Sequence, residues 1–377
     1  MKALRILEGI LRQPTAPFHE HRVRAELIRI LDRAGIPWRL DPAGNLVARY
    51  RRGKARPVTF LAHMDHPGFE ILSVDGHGAI GVWNGQMPTF ALKGLRLALW
   101  SDGPEGRRGT ARALEGDGRT PGDKRFRLSV PKGTRVGDFG YADLVPFRLG
   151  GGRITSKALD NVGGCAAIVA CLEHLSRRRL TGDVLAVFTR AEEVGFHGAH
   201  AALRSGTLPR RRPAVVLECS RAMPGAEQGK GPVIRVGDRM TVFDPAVAAA
   251  CEEAARAQQA RRPDFRFQRR LMDGGACEAT VLGLSGIPCI CLAFPLGGYH
   301  NIGEKGVVPE FIDTGDFLGG VEALVAFAVI GLDPAGARKR QRKRALGAFG
   351  AEQELRLRAS RTSRTSPSAR ALPSRRP

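Results

Sequence analysis

A chain of 377 residues is long for one average domain and comfortable for two, and 43% hydrophobic with 25% charged residues supplies a sizeable globular core. Seven cysteines make no C-x-x-C pair and sit mostly in apolar runs, which argues against a thiolate zinc site and fits a reducing compartment. The net charge of +22 is unevenly placed: residues 336–377 hold thirteen Arg or Lys against two Glu, half of the excess.

Residues 1–35 predict two helices, carried by Leu4, Ile6, Leu7, Ile10 and Leu11 and then by Val23, Leu27, Ile28, Ile30 and Leu31, with Pro14 and Pro17 between them. Charge at Arg5 and Glu8 makes the first an amphipathic helix rather than a secretory signal, so a cytoplasmic location is expected. NLVARY (45–50) and PVTFLAH (57–63) read as strands, the second nearly continuous in apolar residues, as a buried strand is. Residues 73–147 are Gly-rich, with short apolar bursts and turns, and predict a small all-β insert. Longer elements then alternate: a strand at 153–156, a helix at 161–178, a strand at 183–190, a helix from near Gly198 and a strand at 214–220. Helices at 244–260 and 273–285, a strand at 287–294 and a helix at 314–331 follow. This order predicts an α/β fold with a mainly parallel central sheet flanked by helices. The apolar runs 162–172 and 323–332 are too short to span a bilayer, so no membrane insertion is expected. From about residue 336 the chain is Arg-, Ser- and Ala-rich and is expected to be a basic disordered tail.

Ligands of open parallel sheets bind beyond the carboxyl ends of the strands. His63, Asp160, the pair Glu192-Glu193, Glu218 and His300 each stand at or after such an end. Two imidazoles with several carboxylates and no thiolate suit zinc, cobalt or manganese. Five ligands exceed one tetrahedral zinc, and a shared carboxylate lets two metals divide them. In His63-x-Asp65 both side chains lie on one side of an extended segment, so Asp65 can accept the second N–H of His63. Of two adjacent glutamates, one can bind metal while the other takes a proton from water. Each residue also has a plainer explanation. A strand-end His is usually solvated, Glu192-Glu193 could open a helix, Asp160-Asn161 could cap one, and Glu218 could meet an Arg. The joint pattern outweighs these. His19, His21, His66, His77, His174, His197 and His200 are read as surface or supporting residues.

At these residues the sequence resembles the glutamyl (deblocking) aminopeptidases, dinuclear zinc exopeptidases that form tetrahedral particles. AHMDHPGF (62–69) is similar to the family's first metal motif, SKALDN (156–161) to its bridging-aspartate motif and FTRAEEVGFHGA (188–199) to its double-glutamate motif. GYHN (298–301) stands where the last histidine is expected, DPAGNLVA (41–48) resembles an early strand, and RVGDF (135–139) the end of the inserted β domain. The likeness covers about residues 1–335. It implies a zinc-exopeptidase fold with a metallopeptidase domain of residues 1–72 and 148–335, and a barrel-like insert, 73–147, for oligomerisation and substrate access. It implies that Asp160 bridges two metals, that His63 and Glu218 complete one site and Glu193 and His300 the other, that Glu192 is the general base, and that Asp65 orients His63. It further implies peptide substrates and a homo-oligomer built from dimers, up to twelve subunits. The sequence departs from the family at Glu218, where Asp is commoner, at GGACEAT (274–280), where Gly-Thr-Asp-Ala is usual, and at His66, where an acid is common.

Three functions follow in order: a two-metal aminopeptidase; a metal-dependent deacylase or other amidohydrolase, suggested by the altered 274–280 segment; and a non-enzymatic nucleic-acid binder, suggested by the charge. Against the last, no nucleic-acid module is evident, and no specific nucleic-acid partner is expected.

Overall fold

The computed structural model describes residues 2–86, 92–116, 124–347 and 350–360. The chain opens with α1 (Lys2–Leu11) and α2 (His21–Arg33), whose buried faces follow the helical spacing of the sequence. Then come β1 (Trp38–Leu40), β2 (Leu46–Arg52) and β3 (Pro57–His63). Six strands follow: β4 (Gly68–Asp75), β5 (Gly78–Asn84), β6 (Arg96–Trp100), β7 (Arg107–Gly116), β8 (Arg125–Ser129) and β9 (Phe139–Ala142). They close an antiparallel barrel in the order β4-β5-β8-β7-β6-β9, which leaves no unpaired edge. Phe69, Trp83, Leu97 and Phe126 fill its interior.

The main body resumes with β10 (Arg148–Gly150), β11 (Arg153–Ser156), α3 (Val162–Arg177), β12 (Gly182–Thr189), α4 (His197–Arg204) and β13 (Ala214–Arg221). It continues through β14 (Val233–Arg235), α5 (Pro245–Arg261), β15 (Gln268–Arg270), α6 (Glu278–Leu284) and β16 (Cys289–Leu296). A 3-10 turn at Tyr299–Asn301, β17 (Glu310–Asp313), α7 (Thr314–Val329), α8 (Pro334–Gly347) and α9 (Ala351–Ser360) complete it.

The large sheet runs β1-β2-β12-β3-β13-β16-β14-β15. Its centre, β12, β3, β13 and β16, is parallel, whereas β1, β2 and β14 join antiparallel. The α/β fold with a mainly parallel sheet and an inserted barrel is therefore present, with the parallel part confined to the middle. Helix α3 packs against β3, α1 and α7 and is buried over most of its length, as a helix apolar all round must be. β11 pairs with β10 and β17 in a separate antiparallel sheet, so Asp160 approaches from outside the large sheet. Among the described residues no single helix is long and apolar enough to cross a membrane.

The structure differs from the sequence reading at three places. Pairing of the barrel begins at Gly68, ahead of residue 73. The helix expected from 273 begins only at Glu278, because Gly274 and Gly275 precede it. The expected disordered tail is helical at α8 and α9. The Asp333 carboxylate accepts the Gly336 N–H at 3.1 Å, Ala337 is buried, and Arg340 grips Glu253, so α8 has a cap, a buried anchor and an ion pair. Residues 361–377 of that tail, like 87–91 and 117–123 of the insert, lie outside the described residues.

Candidate metal centre

The parallel register sets His63, the last residue of β3, opposite Thr189, the last of β12. Glu192 and Glu193 lie three and four residues past β12, Glu218 lies within β13, and His300 lies four residues past β16. Asp160 enters from the loop between β11 and α3, after a run of buried residues, and its peptide bond to Asn161 is cis.

The five proposed ligands and Glu192 converge in one cleft. His63 Nε2 lies 3.5 Å from Asp160 Oδ1, 3.4 Å from Glu218 Oε1 and 3.8 Å from Glu192 Oε2. His300 Nε2 lies 3.4 Å from Asp160 Oδ2 and 3.3 Å from Glu193 Oε2. The two oxygens of Asp160 thus face different histidines. His63, Asp160 and Glu218 form one group of donors, and Asp160, Glu193 and His300 another, with ligand atoms in each group within 4.8 Å of one another. His63, Glu192 and Glu193 satisfy the same distance, so geometry alone also permits Glu192 as a ligand.

Buried carboxylates hold this arrangement from behind. Asp65 accepts the backbone N–H groups of Glu192 at 3.0 Å and Glu193 at 3.1 Å, while its Oδ1 stands 3.4 Å from His63 Nδ1. It therefore fixes the double-glutamate turn as well as facing the imidazole. That turn is strained, with Ala191 at φ 49° and Phe196 at φ 57°. Glu20 steadies it by accepting the Ala191 N–H at 3.0 Å and the Arg190 guanidinium at 2.7 Å. Glu310 accepts the N–H groups of Leu159 and Asp160 on one oxygen, at 2.7 and 2.9 Å, and of His300 on the other, at 2.9 Å. One carboxylate thereby fixes the backbone of two proposed ligands, including His300 at φ 53°. The N-cap reading of Asn161 fails: its amide donates to the Leu217 carbonyl at 2.7 Å instead of capping α3.

His66, set aside in the sequence, is fully enclosed between the Asp160 carbonyl and Asn301. Burial lowers its pKa to about 4, so the ring is neutral at pH 7. A neutral imidazole has one N–H. If Nδ1 donates to Asp160, then Nε2 accepts, and the Asn301 amide must turn its otherwise unpartnered Nδ2 toward it.

The electrostatics call for a cation. Burial first, then the charge of Asp160, pushes Glu193 and Glu218 well above the usual carboxylate range. Burial pushes Glu192 the same way, opposed by His63. His63 is lowered by burial, but Glu192 and Glu218 outweigh that and hold it well above an ordinary imidazole. Burial raises Asp160, and the facing His300 and His63 rings overcome it and hold it well below its usual range. Among the described residues only His63 and His300 form ion pairs with these carboxylates. Asp160 Oδ1 and Glu193 Oε1 are buried without a hydrogen-bond donor. An N/O donor set carrying surplus buried negative charge fits divalent cations. The nearby thiols are spent elsewhere: Cys165 donates to the His63 carbonyl at 3.0 Å and Cys219 to that of Leu159 at 3.2 Å.

Glu310 and Glu20 carry no motif in the sequence, and Glu278 stands out there only within the altered GGACEAT segment. Glu278, at the start of α6, is fully buried with both carboxyl oxygens unpartnered, and burial raises its pKa to about 7. The available signal was a single acid within an apolar stretch, as in VVPEFI (307–312).

A mixed α/β sheet with a His and carboxylate cluster at its carboxyl edge and an inserted barrel is a zinc-exopeptidase-type architecture. The M42 glutamyl aminopeptidase family profile matches residues 130–306. A curated protein of Acetivibrio thermocellus, provisionally described as an aminopeptidase, is 26% identical over 310 residues, covering 75% of this chain and 87% of its own. Among solved structures, a TET aminopeptidase from a marine-sediment Thaumarchaeota archaeon superposes with a TM-score of 0.74 at 20% identity, over 89% of this chain and 100% of its own. The Pyrococcus horikoshii TET1 peptidase, which can assemble into a tetrahedron or a large octahedral shell, gives 0.71 at 21% identity, over 86% and 99%. The structural likenesses are of fold. With the family profile and the curated relative, they bear out the resemblance to the deblocking aminopeptidases drawn from the motifs.

Proposed function

We propose that this chain is a metal-dependent aminopeptidase that holds two divalent cations, with zinc first and cobalt or manganese as alternatives. The observation that carries this reading is Asp160, whose two oxygens face two separate His and Glu donor sets. The match to the glutamyl aminopeptidase family and the description of the Acetivibrio relative support it. His63 and Glu218 would hold one cation, Glu193 and His300 the other, and Asp160 both. Bound there, the pair would lower the pKa of a water and polarise the first peptide carbonyl.

The protein's own part is positioning and proton transfer. Asp65 and Glu310 fix ligand backbones, and burial keeps Glu192 ready to accept a proton at its carboxylate. Glu192 takes the proton of the attacking water and returns it to the leaving amine. Beyond the cluster the cleft is lined by Arg221, Arg239, Tyr299, Met223 and Met272, and among the described residues no acid joins its wall outside the cluster. Arg235 also reaches it but is spent on Ser220 and the carbonyls of Met272 and Gly275. Arg221 and Arg239 therefore favour an acidic first side chain. On the likeness to the TET particles, the chain is proposed to form a homo-oligomer to which the barrel contributes.

A panel of aminoacyl amides and N-acyl amino acids, each with and without chelator, tests the reading. Chelator-sensitive release of Glu or Asp is expected; activity confined to the acylated set would make the protein a deacylase.

A further inference from the structure

Ten exposed Arg and Lys side chains, six before the strands and four on α8, stand away from the metal centre at the opposite end of the molecule. The acidic cluster lies at the carboxyl edge of the parallel strands, and Arg-rich segments approach their amino edge. Arg51, Arg52 and Lys54 stand before β3, Arg178 and Arg179 before β12, and Arg211 before β13. Contacts join these segments. A Cβ on Gly53 would lie 3.1 Å from Thr181, and Arg56 meets Asp333, which opens α8, at 2.9 Å. α8 leaves this end at 97° to α7 and carries RKRQRKR (338–344).

The acids nearby are already engaged. Asp183 pairs with Arg49 and Arg212, both at 2.8 Å, Glu173 with Lys2 and Arg177, Asp333 with Arg56, and Glu253 with Arg340 at 2.6 Å. Among the described residues, none of the six cations before the strands has an ion-pair partner, and all six are exposed. The same holds for Arg338, Lys339, Arg342 and Lys343. With 3.6 residues per turn and Ala337 facing the core, these four fill the outward arc of α8, while Arg340 and Arg344 flank α5.

The chemistry of this surface selects among polyanions. Guanidinium groups dominate, and they bind phosphate oxygens in pairs. Leu346 is the one large apolar side chain on α8, so the helix has no apolar face to bury in lipid. We propose that this end of the molecule binds the phosphate backbone of nucleic acids without reading bases, leaving the metal cleft at the other edge free.

The test is fluorescence anisotropy with a labelled mixed-sequence single-stranded RNA and the full chain, from about 50 to about 200 mM salt. Affinity should fall linearly on logarithmic axes, with a slope of about −0.7 for each phosphate neutralised. Replacing Arg338, Lys339, Arg342 and Lys343 with Gln should weaken binding about tenfold or more and flatten the slope, with the thermal midpoint unchanged. Arg51→Gln, Arg52→Gln and Lys54→Gln together should do the same from a separate segment. No binding at the lowest salt, equal affinity in both variants, or binding only to phosphatidylserine vesicles would each overturn the proposal.

Discussion

Glu192 and Glu193 are neighbours in the chain, and their surroundings suit them to different proposed tasks. Glu193 stands 3.3 Å from His300, whereas Glu192 is 3.8 Å from His63. Glu192→Gln keeps the shape and removes the base, so kcat should fall by about 10²–10⁴ while metal content, measured by mass spectrometry, stays near wild type. Near-normal turnover would remove Glu192 from the mechanism. Glu310→Gln has a different signature, because it leaves one of three N–H groups facing an amide. Metal affinity should fall about tenfold or more, with kcat largely recovered at saturating metal. The contrast shows what was legible in the sequence. His63, Asp160, Glu193, Glu218 and His300 could be proposed because each stands within a strand or a few residues past one. Glu310 could not, since its partners are backbone N–H groups of two loops that only the folded chain brings together. Arg221 and Arg239 belong to this scale too: Arg239→Glu should shift kcat/KM from acidic toward basic first residues, and unchanged preference would detach that arginine from specificity.

The strands and helices of the main body were legible where apolar periodicity was long, as in α2, α3, α5 and β3. The short strands β14, β15 and β17 were not, because three or four residues carry no period. Start signals were decisive where length was not: Asp333 before Pro334 begins α8 despite its charge. The junction between barrel and main body turns on Lys157. Its ammonium is buried, donates to the Gln13 carbonyl at 2.8 Å and lies 4.5 Å from the centre of the Tyr141 ring. Burial lowers its pKa from 10.5 to about 7. Between those values the unfolded chain holds the extra proton, so stability due to this group rises with pH across the window. Lys157→Met removes that dependence. Relative to wild type, the variant's thermal midpoint should fall as pH rises from about 7 toward about 10; a pH-independent difference would contradict the burial argument. Within the barrel, Gly140→Ala places a Cβ 2.2 Å from the Ala98 carbonyl oxygen and should cost about 1–3 kcal/mol in denaturant unfolding.

At the scale of the whole molecule, one acidic cluster and one basic group stand at opposite edges of the sheet. Buried acids collect at the carboxyl edge of the sheet, and a group of exposed Arg and Lys without ion-pair partners among the described residues stands at the amino edge. Composition gave the excess of +22 but not this separation, because the segments before β3, β12 and β13 are far apart in the chain. On the proposed two-cation reading, removing the cations would leave Asp160, Glu192, Glu193 and Glu218 to repel one another. Chelation should therefore lower the thermal midpoint, and metal at about 100 times its Kd should restore about 2.7 kcal/mol. The central claim is that two cations share Asp160, and stepwise metal reconstitution tests it most directly. Metal-stripped protein is titrated with zinc while hydrolysis of a glutamyl amide and bound metal are read together. Full activity is expected only as occupancy approaches two per chain. Full activity at one equivalent, or in the stripped protein, would contradict it.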